Sequence, residues 1–148
     1  MIETKTYTEE KKAPEHIKSE IVNFLFENLE QYGDPKNDIE KAIQYAMGAN
    51  QKPGGILITA NNTENDKMVG AVIINKTGMD GYIPENILVY IATDKEMRGK
   101  GVGKKLMQTA IDASKGDMAL HCEPDNPARF LYEKLGFSSK YLEMRLKK

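Results

Sequence analysis

Six consecutive residues, Arg98-Gly99-Lys100-Gly101-Val102-Gly103, carry the strongest chemical signal in the chain. They lie between an apolar strand pattern and an amphipathic helix pattern. The first turn of a helix leaves backbone N–H groups without partners and carries about half a positive charge. Glycines at 99, 101 and 103 remove the Cβ atoms that would hold an anion away from those groups. Lys95, Arg98, Lys100, Lys104 and Lys105 add a local positive field. The ligand these features select is a phosphate, and more specifically a diphosphate.

Two common phosphate loops do not fit. A P-loop requires Gly-x-x-x-x-Gly-Lys-Ser/Thr. Position 98 is Arg instead of Gly, and Lys105 stands where the magnesium-binding hydroxyl belongs. A dinucleotide-binding loop follows the first strand of a parallel sheet and reads Gly-x-Gly-x-x-Gly. Here the loop comes mid-chain after a hairpin and lacks that spacing. A glycine-rich helix start with solvated lysines remains the plain alternative for the loop taken alone.

The elements that must position this loop are legible from periodicity. A Thr-rich alternating stretch, residues 2–8, reads as a strand. Pro14 opens a helix with Ile17, Ile21, Phe24, Leu25 and Leu29 on one stripe, stopped by Gly33-Asp34-Pro35. A second helix from about Asn37 carries Ile39, Ala42, Ile43, Ala46 and Met47 and ends at Gly48. Residues 55–59 and 68–74 flank a polar turn as a hairpin, and 87–92 is apolar on both faces, as a central strand should be. After the loop come a helix with Leu106, Met107, Ala110 and Ile111 inward, a short strand over 118–122, a helix around Ala128 to Leu135 capped by Gly136, and a closing strand over about Lys140 to Leu146. No repeat or linker interrupts the 148 residues, so a single domain over 1–148 is expected, of α+β or mixed α/β class.

Bulk properties narrow the partners. Net charge is −1, so no global field draws the molecule to nucleic acid or an anionic membrane, and anion binding must be local. No stretch approaches the ~18 apolar residues of a membrane helix. Cys122 is the single cysteine, which excludes an internal disulfide and a thiolate zinc site. No metal is expected, and the absence of a signal-like start points to the cytoplasm.

Arg98-x-x-Gly101-x-Gly103 resembles the cofactor motif of the GNAT superfamily of N-acetyltransferases. Downstream, Asn126-Pro127-Ala128-Arg129-Phe130-Leu131-Tyr132-Glu133-Lys134-Leu135-Gly136-Phe137 is similar to that family's second motif. The two motifs and their strands cover 87–137; the remainder agrees in element order. The resemblance implies a mostly antiparallel central sheet with helices on both faces and a fourth and fifth strand that splay apart around acetyl-CoA. The pantetheine would pair with the fourth strand around Ile91, Ala92 and Thr93. The loop from Arg98 through Gly99, Lys100, Gly101, Val102, Gly103 and Lys104 would take the pyrophosphate. The acetyl group would point toward Asn126 and Tyr132.

Acyl transfer to an amine calls for loss of an ammonium proton (ordinary pKa ~10.4) and help for a departing thiolate (~8.5). By resemblance Tyr132 is the general acid; on its stripe with Ala128 and Leu135 alone it reads as a core tyrosine. Glu85 resembles the base of some lysine-directed members, or is a solvated turn acid after Pro84. His121 and Glu123 straddle Cys122 and are further groups near the acceptor; histidine is the side chain that exchanges protons near neutral pH. The expected activity is transfer from acetyl-CoA to a primary amine, small-molecule or peptide, in a ternary complex. A non-catalytic acyl-CoA-binding module and an atypical nucleotide-binding protein are the alternatives. Only eleven residues follow Phe137 where the family closes its sheet with a hairpin, so a homodimer that shares a strand edge is a further expectation.

Overall fold

A computed structural model describes residues 1–148. Five strands form one sheet in sequence order: β1 (Ile2–Thr8), β2 (Gly55–Asn62), β3 (Lys67–Lys76), β4 (Asn86–Thr93) and β5 (Met118–Leu120). The first four pair antiparallel, and β4 pairs with β5 in parallel. Helices α1 (Glu15–Asn28) and α2 (Lys36–Ala46) cover one face; α3 (Val102–Ala113) and α4 (Ala128–Lys134) cover the other. This is the mixed, mostly antiparallel arrangement expected from the sequence.

Each face of the sheet has its own core. On the first, Ile21, Leu25 and Ile39 of the helices meet Leu57 and Ile73, all fully buried. On the second, Leu106, Met107 and Ala110 meet Ile58, Val72 and Ile74. Burying a side chain of this size contributes ~1.5–3 kcal/mol. Because both faces are covered, β2 and β3 run buried through consecutive positions, 55–60 and 68–74, instead of alternating. Gly70 marks how closely α3 approaches: a Cβ there would lie 2.5 Å from Leu106 Cδ1.

Two expectations need correction. Strand β5 stops at Leu120, so His121 and Cys122 lie outside it. Residues 138–148 form no strand, and Tyr141, Leu142, Met144 and Leu146 are all more than four-fifths exposed. An alternating sequence becomes a strand only where a partner edge is long enough to pay for its ordering, and β5 supplies three residues.

Candidate functional site

Strand β4 has two unlike halves. Asn86, Ile87 and Leu88 pair with Met118, Ala119 and Leu120. From Val89 to Thr93 the strand is paired with β3 only. A β-bulge lies at this junction: Tyr90 pairs with Ile73 and Leu88 with Ile74, which leaves Val89 without a counterpart. Val89 and Tyr90 consequently pack against the same core, and Ile91 against the other. A bulge bends its strand and sharpens the twist, and the parallel partner is left behind. The free edge that includes Ile91, Ala92 and Thr93 can accept an extended, amide-bearing chain as an added strand.

The split opens onto the glycine loop. Asp94 starts it, accepting the Glu96 N–H at 2.9 Å and pairing with Lys67 at 3.2 Å. These contacts, the backbone N–H foremost, hold its carboxyl below the usual range. Gly99 and Gly101 both take left-handed backbone, at φ +80° and +82°, and a Cβ on either would meet nothing within 4 Å. Gly101 is the N-cap of α3 and no side chain caps that helix, so its first N–H groups face the opening. Buried Val102 anchors the helix into the second core. A cavity of about 250 Å³ lies here, lined among others by Thr93, Arg98, Gly101, Gly103, Lys104 and Leu131. Uncapped donors, open space over the glycines and adjacent cations fit a diphosphate. Lys105 does not contribute: its Nζ donates to the Ile2 carbonyl at 2.7 Å.

Across the split, Tyr132 on α4 is buried, with its ring edge-on to Phe137 at 6.2 Å between centroids. Burial, with Cys122 close by, pushes the phenol up to about 12. Its hydroxyl makes no hydrogen bond within the chain and is not wholly sealed from solvent. Asn126 Oδ1 accepts the Ala128 N–H at 3.0 Å and shapes the start of α4, leaving its Nδ2 as the free end. His121 and Glu123 are exposed and Cys122 is half-buried against the second core.

Glu85 is not where a base would be needed. It precedes β4 at the paired end, before the split begins. Oε1 accepts the Asp117 N–H at 2.7 Å and Oε2 the Gly81 N–H at 3.2 Å. These bonds, Asp117's foremost, hold its carboxyl below the usual range, and a carboxylate so stabilised is a poorer base. It clamps the loops at the closed end.

Three contacts at the mouth of the split escaped the sequence reading. Tyr90 donates to Asp34 Oδ2 at 2.5 Å, Tyr32 donates to the Asp125 carbonyl at 3.4 Å, and Arg98 Nη2 donates to Glu30 Oε1 at 3.0 Å. Burial and then the Asp34 carboxylate push the Tyr90 phenol well up.

Comparison with known proteins agrees with this geometry. Residues 19–137 match the family model described as the acetyltransferase (GNAT) family. Over 79 residues the chain is 35% identical to N-alpha-acetyltransferase 30 of Schizosaccharomyces pombe, a match covering 50% of this chain and 53% of that protein. The chain thus spans about half the length of the curated relative it matches. Among solved structures, an aminoglycoside N-acetyltransferase in complex with CoA superposes with a TM-score of 0.71 at 15% identity, covering 100% of this chain and 95% of that one. The ribosomal-protein-S18-alanine N-acetyltransferase of Escherichia coli superposes with a TM-score of 0.70 at 17% identity, covering 95% and 80%. At these identities the superpositions speak for the fold, and the family match speaks for descent. A split parallel pair, an uncapped glycine loop at its mouth and a family match over most of the length agree: the chain belongs to the GNAT family of acetyltransferases, whose donor is acetyl-CoA.

Proposed function

We propose that this protein moves the acetyl group of acetyl-CoA to a primary amine by direct attack in a ternary complex, with Tyr132 as the acid. The observation that supports this is the free edge of β4 beside an uncapped glycine loop and its cavity, with Tyr132 on the helix that follows β5. Bound acetyl-CoA would supply the thioester and, as leaving group, its thiol. The free edge of β4 orients the pantetheine arm, and the N–H groups of Gly101 to Lys104, with Arg98, hold the pyrophosphate. Tyr132 keeps its proton throughout the neutral range because its pKa lies near 12. Full transfer from such a phenol to a thiolate of pKa ~8.5 is uphill, so its contribution is a hydrogen bond that strengthens as charge grows on sulfur. With Glu85 committed elsewhere, the ammonium proton leaves to solvent or to the exposed His121 at the end of β5.

A homodimer belongs to the same reading: β5 has a free outer edge, and the tail carries Leu142, Met144 and Leu146 at alternate exposed positions. A single-chain mass by light scattering at high concentration would remove it. The test of the activity is calorimetric titration with acetyl-CoA, with ATP as control, followed by amine-dependent thiol release. Binding of acetyl-CoA alone with amine-dependent release is expected. Binding without release from any amine would leave a non-catalytic acyl-CoA module.

A further inference from the structure

The segment between α1 and α2 forms a strap over the mouth of the split, tied at three points. Glu30 holds Arg98 in the loop after β4, Tyr32 holds Asp125 in the loop after β5, and Asp34 holds Tyr90 on β4 itself. Glu30 also lies 4.0 Å from Lys95 Nζ. One carboxylate thus faces both Lys95 and Arg98, cations of the very loop that the proposed function gives to the pyrophosphate. Glu30 does this from a left-handed backbone, φ +56°, a conformation that side-chain-bearing residues seldom adopt. The side-chain contacts of Glu30 are those with Lys95 and Arg98.

We propose that Glu30 is a built-in competitor for Arg98, so that cofactor phosphate displaces the Glu30 carboxylate and loosens the strap. The inference rests on the assignment of Arg98 to the pyrophosphate. A diphosphate carries more charge than a carboxylate and matches the guanidinium fork equally well, so it wins the arginine. Once Arg98 turns to phosphate, Glu30 keeps only the longer contact with Lys95, and the strap is left with its ties at Tyr32 and Asp34. In this way occupancy of the phosphate site is felt at Asp34 and Tyr90, a strand's width away. Glu30 acts here as a positioning residue and does not touch the reacting atoms.

The competition is between exposed groups, so its size is modest. An exposed ion pair is worth ~0.2–1 kcal/mol, which converts to a ~1.4- to 5-fold change in affinity. The experiment compares CoA binding by calorimetry in the full chain, Glu30→Gln and Arg98→Ala, at 20 mM and 300 mM salt, with hydrogen exchange of residues 30–34. Glu30→Gln should bind CoA about two- to fivefold more tightly at low salt, with the gain shrinking at high salt as screening sets in. Exchange in 30–34 should quicken when CoA is added to the unaltered protein and be fast beforehand in Glu30→Gln. Arg98→Ala should weaken CoA binding. Unchanged or weaker CoA binding in Glu30→Gln, with Arg98→Ala still damaging, overturns the competition and leaves the phosphate site standing. Unchanged binding in Arg98→Ala removes the phosphate assignment and the competition with it.

Discussion

The two ends of β4 share one strand and are built in opposite ways. At the closed end Asn86 is 2% exposed, and its Nδ2 donates to the carbonyls of Lys115 at 2.7 Å and Asp117 at 3.2 Å. Beside it Glu85 takes up the N–H groups of Gly81 and Asp117. Polar side chains there stitch β4 to the chain entering β5. At the open end no hydrogen bond crosses from β4 to β5, and the ties run instead to the strap 30–34 through Tyr90 and Arg98. The bulge at Val89 separates the two regimes. A sheet can thus keep a rigid hinge and a ligand-sized gap within eight residues, provided polar side chains do the fastening on one side and backbone groups are left free on the other.

The largest effect should come from the open end. Tyr132→Phe removes the hydroxyl and little else from a buried ring, so turnover should fall by ~10²–10⁴-fold with CoA affinity nearly unchanged. Because the phenol is raised to about 12, its proton stays on as pH rises past 10. The rate should therefore show no loss from this group between about pH 9 and 11, and a fall that disappears in the Phe variant would mean the site leaves the hydroxyl far more exposed. Gly101→Val comes next. It forces a β-branched side chain into φ +82° and fills open space over the loop, and at ~1–3 kcal/mol of strain or lost contact CoA should bind ~10- to 100-fold more weakly. Equal affinity would place the phosphate elsewhere.

Effects at the closed end should appear in stability. Asn86→Ala strands the Lys115 carbonyl, while that of Asp117 keeps the backbone N–H of residue 86, and should cost ~1–3 kcal/mol in urea unfolding; a loss of activity without destabilisation would deny the hinge its fastening role. Glu85→Gln should be mildest, lowering the melting temperature a little while turnover stays. A carboxylate held below its unfolded pKa stabilises above that pKa and loses the contribution as pH falls through the folded value. The Gln variant should therefore differ from the parent at neutral pH and converge on it in acid. Collapse of turnover in Glu85→Gln at full stability would restore it as a base.

The glycine loop and the helix stripes were readable because each rests on local chemistry, left-handed glycines and 3.6-residue periodicity, whereas the second motif was legible only by its resemblance to a family's. The bulge at Val89 was not, because residues 87–92 are apolar on both faces and a strand without alternation carries no mark of a register change. For the same reason Tyr90 could not be assigned to the face where it meets Asp34. The fastening of Glu85 to the Asp117 N–H was not legible either, because the two residues lie 32 positions apart in the chain. The tail misled because alternation over Leu142 to Leu146 states a preference for strand and says nothing of whether an edge is available.

By itself the sequence determined the order of the elements, the covered two-sided sheet and the anion loop, all set by interactions among residues near one another in the chain. Only the tertiary structure decided where β4 parts from β5, that Glu85 fastens the closed end, and that Glu30, 68 residues before Arg98, reaches its guanidinium. Those depend on packing between elements distant in sequence, where side-chain type sets what a contact can be and the fold alone sets whether it is made.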